Sequence, residues 1–297
     1  MAHKHKSDGV SLPKLLFTIF LNILITIAQL IGGIVSGSLA LISDAIHNFS
    51  DSVSVILAYF AQVLSQKPVT RKSTFGYKRA EILAAFINAL ALIGISVFLV
   101  FEAVDRFQNP MEIDARWMFW LGVLGLFANG ISVLVLEREK NKNLNIKAAY
   151  LHLMGDALTS LAVILGAVLI WVFKIYWADP LITILISIYL FIHTIKLLKE
   201  SVTILMQMAP IDLEVSDIEN RMMQNQSIKN IHHIHVWNLT DKLIHFECHI
   251  ELKDDIRVSE TNEIFESINK VLNDEFDIGH LTIQFEYRSG HINLCAE

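Results

Sequence analysis

"LALISDAIHNFSDSVSVILAYFAQVL", residues 39–64, decides how the rest of the chain is read. It exceeds the roughly 20 residues that a helical crossing of a bilayer requires, yet it places Asp44, His47 and Asp51 within two helical turns. Positions three, four and seven apart share a helix face, so Asp44, His47, Asp51 and Ser54 form one polar stripe. A second apolar segment answers it. "AAYLHLMGDALTS", residues 148–160, sets His152 four positions before Asp156, with Thr159 on the same face. The pattern H-x-x-x-D therefore occurs twice, at 47/51 and at 152/156. An ionisable residue at the centre of a membrane helix costs about 2.5–3.5 kcal/mol on insertion scales, so four facing lipid singly would forfeit on the order of 10 kcal/mol. Convergence on a cation removes that cost. Two imidazoles and two carboxylates make an N₂O₂ set suited to tetrahedral Zn²⁺ and able to hold Cd²⁺ or Co²⁺. These groups bind metal only as neutral His and ionised Asp, so protons compete with the ion and a proton gradient can drive its movement.

Composition supports the membrane reading. The chain has 297 residues, 53% hydrophobic and only 18% charged, against about 25% charged in soluble domains. Six stretches are long enough to span, at about 14–36, 39–64, 80–107, 115–137, 147–173 and 179–203. The first follows "HKHK" but is too long for a signal-peptide core and has no A-x-A cleavage signal, so it reads as a spanning helix. Lys4, Lys6 and Lys14 precede it; Lys67, Arg71, Lys72, Lys78 and Arg79 fill the second connection, and Arg138, Lys140, Lys142 and Lys147 the fourth. Only Arg106, Arg116 and Lys174 lie in the odd-numbered connections, so the positive-inside rule puts both termini in the cytoplasm of a multi-pass cell-membrane protein. A net charge of −6 gives no sign of a nucleic-acid binder. Two cysteines, Cys248 and Cys295, do not make a disulfide framework.

The expected domains are 1–207, six transmembrane helices, and 208–297, a cytosolic unit. In the second, "IDLEVSDIENRMMQNQ" has amphipathic helical spacing after Pro210. "IHHIHVWNL" and "LIHFECHIEL" alternate around "TDK" as a hairpin, and "VSETNEIFESINKVLNDEF" reads as a helix capped by Ser259. With "HLTIQFEY" as a third strand the order is αββαβ, a two-layer α+β unit of about 80 residues. Strand alternation puts Cys248 in the core. It gathers His235, His249, His280 and Glu286, all zinc ligand types, on a polar sheet face. Cys295 near the end offers a further thiolate, and His3 and His5 read as a basic-polar terminus with loose metal capture as the alternative.

On these residues the chain resembles the cation diffusion facilitator family, zinc exporter branch, over nearly its whole length. The likeness rests on "SLALISDAIHNFSDSVSV" (38–55), "AAYLHLMGDALTSLAVILGA" (148–167), "STFGYKRAEILAAFIN" (73–88), "HIHVWNLT" (233–240) and "LTIQFE" (281–286). The resemblance implies a homodimer, six spans per protomer, a ferredoxin-like cytosolic domain that binds zinc, and alternating access coupled to proton antiport. It carries the transport site onto His47, Asp51, His152 and Asp156, and the cytosolic site onto His235, His249, His280 and Glu286. Histidine at 47, where broader carriers have Asp, leans towards zinc over cadmium. Some bacterial relatives have another site before the third span. Here Arg71, Lys72 and Tyr77 stand in it, so that site is expected to be missing. "EREKNKNLN" lacks a histidine-rich loop, which favours a bacterial-type protein. Asp44 is expected to orient a ligand histidine or to line the ion path. Gln29, Asn88 and Asn129, with Asn22, line a wet cavity or bond between helices.

Two other classes compete. An intramembrane zinc hydrolase needs an open coordination position and a base such as the Glu of H-E-x-x-H, and neither ligand helix has a Glu between its His and Asp. A metal sensor merely anchored in the membrane leaves the two buried His/Asp pairs without a task. The expectation is a carrier and not an enzyme, with divalent metal ions, protons and the bilayer as its partners.

Overall fold

The computed structural model describes residues 12–137 and 144–288; the expectations placed on His3, His5, Arg138, Lys140, Lys142 and Cys295 lie outside these residues. Six long helices come first: α1 Leu12–Ser36, α2 Leu39–Ser65, α3 Ala80–Gln108, α4 Ala115–Glu137, α5 Leu144–Phe173 and α6 Ala178–Leu205. Their bounds fall within three residues of the expected spans because long apolar runs bounded by polar connections leave few other solutions. Among the described residues, four stretches are long and apolar enough to cross a membrane, Ala80–Gln108, Ala115–Leu134, Tyr150–Phe173 and Ala178–Leu205. The α2 helix is not among them, and its sequence says why: Ser43, Asp44, His47, Asn48, Ser50, Asp51, Ser52 and Ser54 dilute its apolar character.

Two compact units emerge, one joining the described residues up to Leu57 with Ile87–Lys196, the other joining Ala58–Phe86 with the described residues from Leu197. In the first, Ala40, Leu41, Met118, Val163, Ala167, Ile170, Ile182 and Ile186 pack as one buried cluster. The start of α2 is fixed with unusual completeness. Ser38 Oγ accepts the Leu41 N–H at 3.1 Å, an N-cap bond. Asp179, at the start of α6, accepts the Leu39 N–H on Oδ2 at 2.9 Å and the Ala40 N–H on Oδ1 at 3.2 Å. Ser38 Oγ lies 2.5 Å from the same Oδ1. Three of the orphan N–H groups that open any helix are thereby satisfied in a fully buried place. Gly37, just past the end of α1, has φ +75, a conformation that favours glycine, and its carbonyl accepts the Arg106 guanidinium.

The second unit holds α7 Val215–Met222, β1 Ile228–Asn238, β2 Ile244–Leu252, α8 Thr261–Phe276 and β3 Ile278–Glu286, the expected αββαβ order. The sheet runs β1-β2-β3, with β1 antiparallel to β2 through the "TDK" hairpin and β3 parallel to β2 after the α8 crossover. Ile218, Met222, Phe246, Cys248, Ile250, Ile264, Ile268 and Leu272 fill the layer between helices and sheet. Cys248 sits there as expected, its thiol pushed up to about 12 by burial and by Glu247. Two local readings change. The first helix is shorter than its amphipathic stretch, because residues after Met222 turn back through Gln224 N–H to Arg221 and Asn225 N–H to Met222. The α8 cap position is Glu260, not Ser259: the Glu260 carboxylate accepts the Arg257 N–H at 2.7 Å and closes the preceding turn, placing the helix start one residue later.

Candidate metal centre

Helices α2 and α5 bring His47, Asp51, His152 and Asp156 together, one ligand atom from each lying within 4.8 Å of all the others. His47 Nε2 is 3.0 Å from Asp156 Oδ1 and 3.7 Å from Asp51 Oδ2. His152 Nε2 is 3.3 Å from Asp51 Oδ2 and 3.7 Å from Asp156 Oδ2. A tetrahedral zinc with bonds of about 2.0–2.1 Å places its ligand atoms about 3.3 Å apart. The observed contacts bracket that edge, so the four side chains stand close to the geometry the ion needs. Asp51 Oδ2, within reach of both imidazoles, is buried and makes no hydrogen bond of good geometry among the described residues, which leaves it available to a cation.

The centre is graded in exposure. The side chains of His47 and Asp156 are 10% and 4% exposed, whereas those of His152 and Asp51 are 49% and 28% exposed. The open half lies towards the C-terminal end of α2 and the N-terminal end of α5.

Asp44 does not join the four. It is fully buried and accepts from Thr159 Oγ1 at 2.7 Å, Gln29 Nε2 at 2.9 Å and Ser160 Oγ at 3.3 Å. Asn88 works between helices as well, donating to Ser54 Oγ at 2.7 Å and accepting from Ser50 Oγ at 3.2 Å.

A second cluster occupies the α+β unit, and it is not the expected quartet. His249 and Glu286 meet, with Nδ1 and Oε1 2.8 Å apart, but the third member is His232, whose Nε2 is 3.3 Å from Glu286 Oε2. His235 is exposed with its ring against His233, and His280 lies beside His245, ring centroids 4.5 Å apart. A bulge explains the first exchange. His233 takes φ +53 and the β1–β2 register shifts between His232 and His235, which brings His232 opposite His249 and His235 opposite Glu247. Strand rise explains the second. His280 pairs with His245, four residues from His249, and at about 3.3 Å per residue that is roughly 13 Å along the sheet. Strict alternation concealed His232. The doublet His232-His233 inside an alternating strand was the one signal of the bulge.

His245 is buried against Trp237, Phe75 and His280. Its pKa is lowered, first by burial and then by the positive fields of His280, Lys78 and Arg79. Phe75, Lys78 and Arg79 belong to the connection between α2 and α3, so this neutral imidazole sits where that cationic loop meets the sheet.

Comparison with known proteins covers nearly the whole chain. A family profile described as "Cation efflux transmembrane domain" matches residues 15–206, and one described as "Cation efflux protein, cytoplasmic domain" matches residues 210–288. A cadmium, cobalt and zinc/H(+)-K(+) antiporter of Bacillus velezensis is 38% identical, over 96% of this chain and 92% of its own. The metal cation efflux system protein CzcD of Cupriavidus metallidurans is 36% identical over 96% and 89%. The zinc transporter ZitB of Escherichia coli is 35% identical over 99% and 96%.

Proposed function

Because the chain belongs to the cation efflux family, the cation diffusion facilitators, we infer that it is a secondary transporter that exports Zn²⁺ from the cytoplasm in exchange for protons. The observation that carries this reading is the convergence of His47, Asp51, His152 and Asp156 from two apolar helices. Cd²⁺ and Co²⁺ are further substrates, a view supported by the names of the relatives and by a donor set that accepts either ion. Zinc binds when both imidazoles are neutral and both carboxylates ionised; protonation of the same atoms releases it, so one site serves both substrates in turn. Alternating access then exposes that site to one side at a time. The open half at His152 and Asp51 faces the cytoplasm if both termini do, as the Lys and Arg placement argues.

The protein works in the cell membrane as a homodimer, which fits the match of its second part to a family cytoplasmic domain. Residues 1–207 form the transporting domain and 208–297 the cytosolic one, where His232, His249 and Glu286 hold zinc. Against the hydrolase reading, neither ligand helix has a Glu between its His and Asp, and four protein donors fill a tetrahedron.

Flux measurement in proteoliposomes tests the proposal. Zinc should accumulate when an outward-directed proton gradient is imposed and stop when the gradient is collapsed; His47→Ala and Asp156→Ala should each abolish uptake while the dimer survives detergent extraction. Zinc binding without flux, or flux indifferent to the gradient, overturns it.

A further inference from the structure

Asp44 lies on the ligand face of α2 but spends its carboxylate on protein donors, and the pairing of α2 with α5 suggests why. Three contacts link the two antiparallel helices along one line: Asp44 with Thr159, His47 with Asp156, and Asp51 with His152. Each step of three or four residues forward along α2 is matched by an equal step back along α5. They are successive rungs of one ladder, about 4.5–6 Å apart. Two rungs are made of metal ligands, whose separation has to yield to an ion or to protons. The third is a hydrogen bond of 2.7 Å between two fixed, buried side chains.

That third rung is braced. Ser160 donates to the same carboxylate from α5, and Gln29 donates from α1 while accepting from Asn48 at 3.4 Å. Helix α4 leaves room for the brace: a Cβ at Gly125 would stand 2.5 Å from Gln29 Nε2 and 3.2 Å from Ser160 Oγ. An acceptor with three donors in a water-poor place is strongly held in position.

We propose that Asp44 is the positioning residue of the transport site, fixing through Thr159 the register of α2 against α5 and so the spacing of the four ligands. This rests on the transport reading above. Asp44 touches no ion; it decides which ion fits. A register held firmly keeps the site close to the edge length that suits Zn²⁺ and disfavours the larger Cd²⁺, whereas a loosened register lets the ligands spread.

The test compares initial uptake of Zn²⁺ and Cd²⁺ by proteoliposomes holding Asp44→Ala, Thr159→Val, Thr159→Ser or His47→Ala full-length protein. Loss of the rung in Asp44→Ala and Thr159→Val should raise the KM for Zn²⁺ by about 10–100-fold, the range seen when groups that orient ligands are removed. The KM for Cd²⁺ should change much less, so the preference for Zn²⁺ collapses. Thr159→Ser, which keeps the hydroxyl, should restore both. An Asp44→Ala/Thr159→Val double variant should have a Zn²⁺ KM no worse than Asp44→Ala alone, because the contact that Thr159→Val removes is already gone. Thr159→Val keeps shape and volume, so it decides the matter if Asp44→Ala does not fold. A folded Thr159→Val protein with the parent KM ratio overturns the proposal, as does a loss of maximal rate shared equally by both ions. His47→Ala separates the two levels of inference: if it still transports, the transport site itself has been misplaced.

Discussion

Removing the two ligand histidines one at a time should have unequal consequences, and the inequality follows from exposure. Structural zinc in four-ligand peptide sites is bound with about 10–16 kcal/mol, so one ligand carries on the order of 3 kcal/mol, or about 10²-fold in affinity. His47 should cost that much or more. Its side chain is 10% exposed, and its Nε2 is the hydrogen-bond partner of the nearly buried Asp156 Oδ1 at 3.0 Å, so no water readily takes its place. His152 is different. Its side chain is 49% exposed, and a water can fill the vacated position as it does in three-ligand zinc sites. His152→Ala should therefore lose only about tenfold in affinity by the same reckoning. Equilibrium zinc titration of purified protein measures this, in a background carrying His249→Ala and Glu286→Ala so that the cytosolic cluster is silent. In proteoliposomes His152→Ala should keep uptake at a raised KM, whereas His47→Ala should show none. A folded His152→Ala variant that loses as much affinity as His47→Ala, or more, refutes the graded site.

Asp179→Ala should destabilise the membrane domain by about 3–9 kcal/mol, because two buried backbone N–H groups and the Ser38 hydroxyl lose their acceptor, at about 1–3 kcal/mol each. Denaturant unfolding in detergent measures it, and a change below about 0.5 kcal/mol would show that the cap is idle. The loop contact at His245 should weaken in acid. Its pKa is lowered on folding, so its contribution is full above the ordinary value of 6.5 and fades as pH falls below that value towards the folded one. The hydrogen-exchange protection factor around Phe75, taken relative to the intrinsic rate at each pH in zinc-free protein, should fall between pH 7.5 and 5.5 in the parent and not in His245→Gln; equal pH response in both would remove His245 as the cause.

What was legible in the sequence was whatever repeats locally. Six apolar runs specify six helices because a membrane leaves the backbone no other way to satisfy itself. The two H-x-x-x-D pairs were legible because helical spacing turns four residues in sequence into neighbours on a face. The αββαβ order followed from alternation and turn residues. What was hidden depends on contacts between distant segments. The cap that Asp179 gives Leu39 joins residues 140 positions apart, and nothing near either one announces it. Asp44 was visible as an oddity, but its partners Gln29 and Thr159 are ordinary polar residues until three helices meet. His232 was missed because one left-handed residue, His233, shifts the phase of β1, and alternation has no means of showing a bulge before the strand is paired.

Charge balance separates the tasks of the two clusters. The membrane set contributes two carboxylates and two neutral imidazoles, so a loaded Zn²⁺ leaves it with no net charge, the condition under which an ion can sit within hydrocarbon without the Born cost of a bare cation. The set in the α+β unit has two imidazoles and a single carboxylate, and a bound Zn²⁺ leaves it with a net positive charge. Within the bilayer that residue of charge would be prohibitive; in a domain bathed by water and counter-ions it is screened over about 8–10 Å. Donor number points the same way. Four protein donors complete the tetrahedron at the membrane site and exclude water, while three leave a position for water or another ligand. Under the proposed function, the membrane cluster is therefore the one built to carry the ion across, and His232, His249 and Glu286 are suited to holding it on the aqueous side.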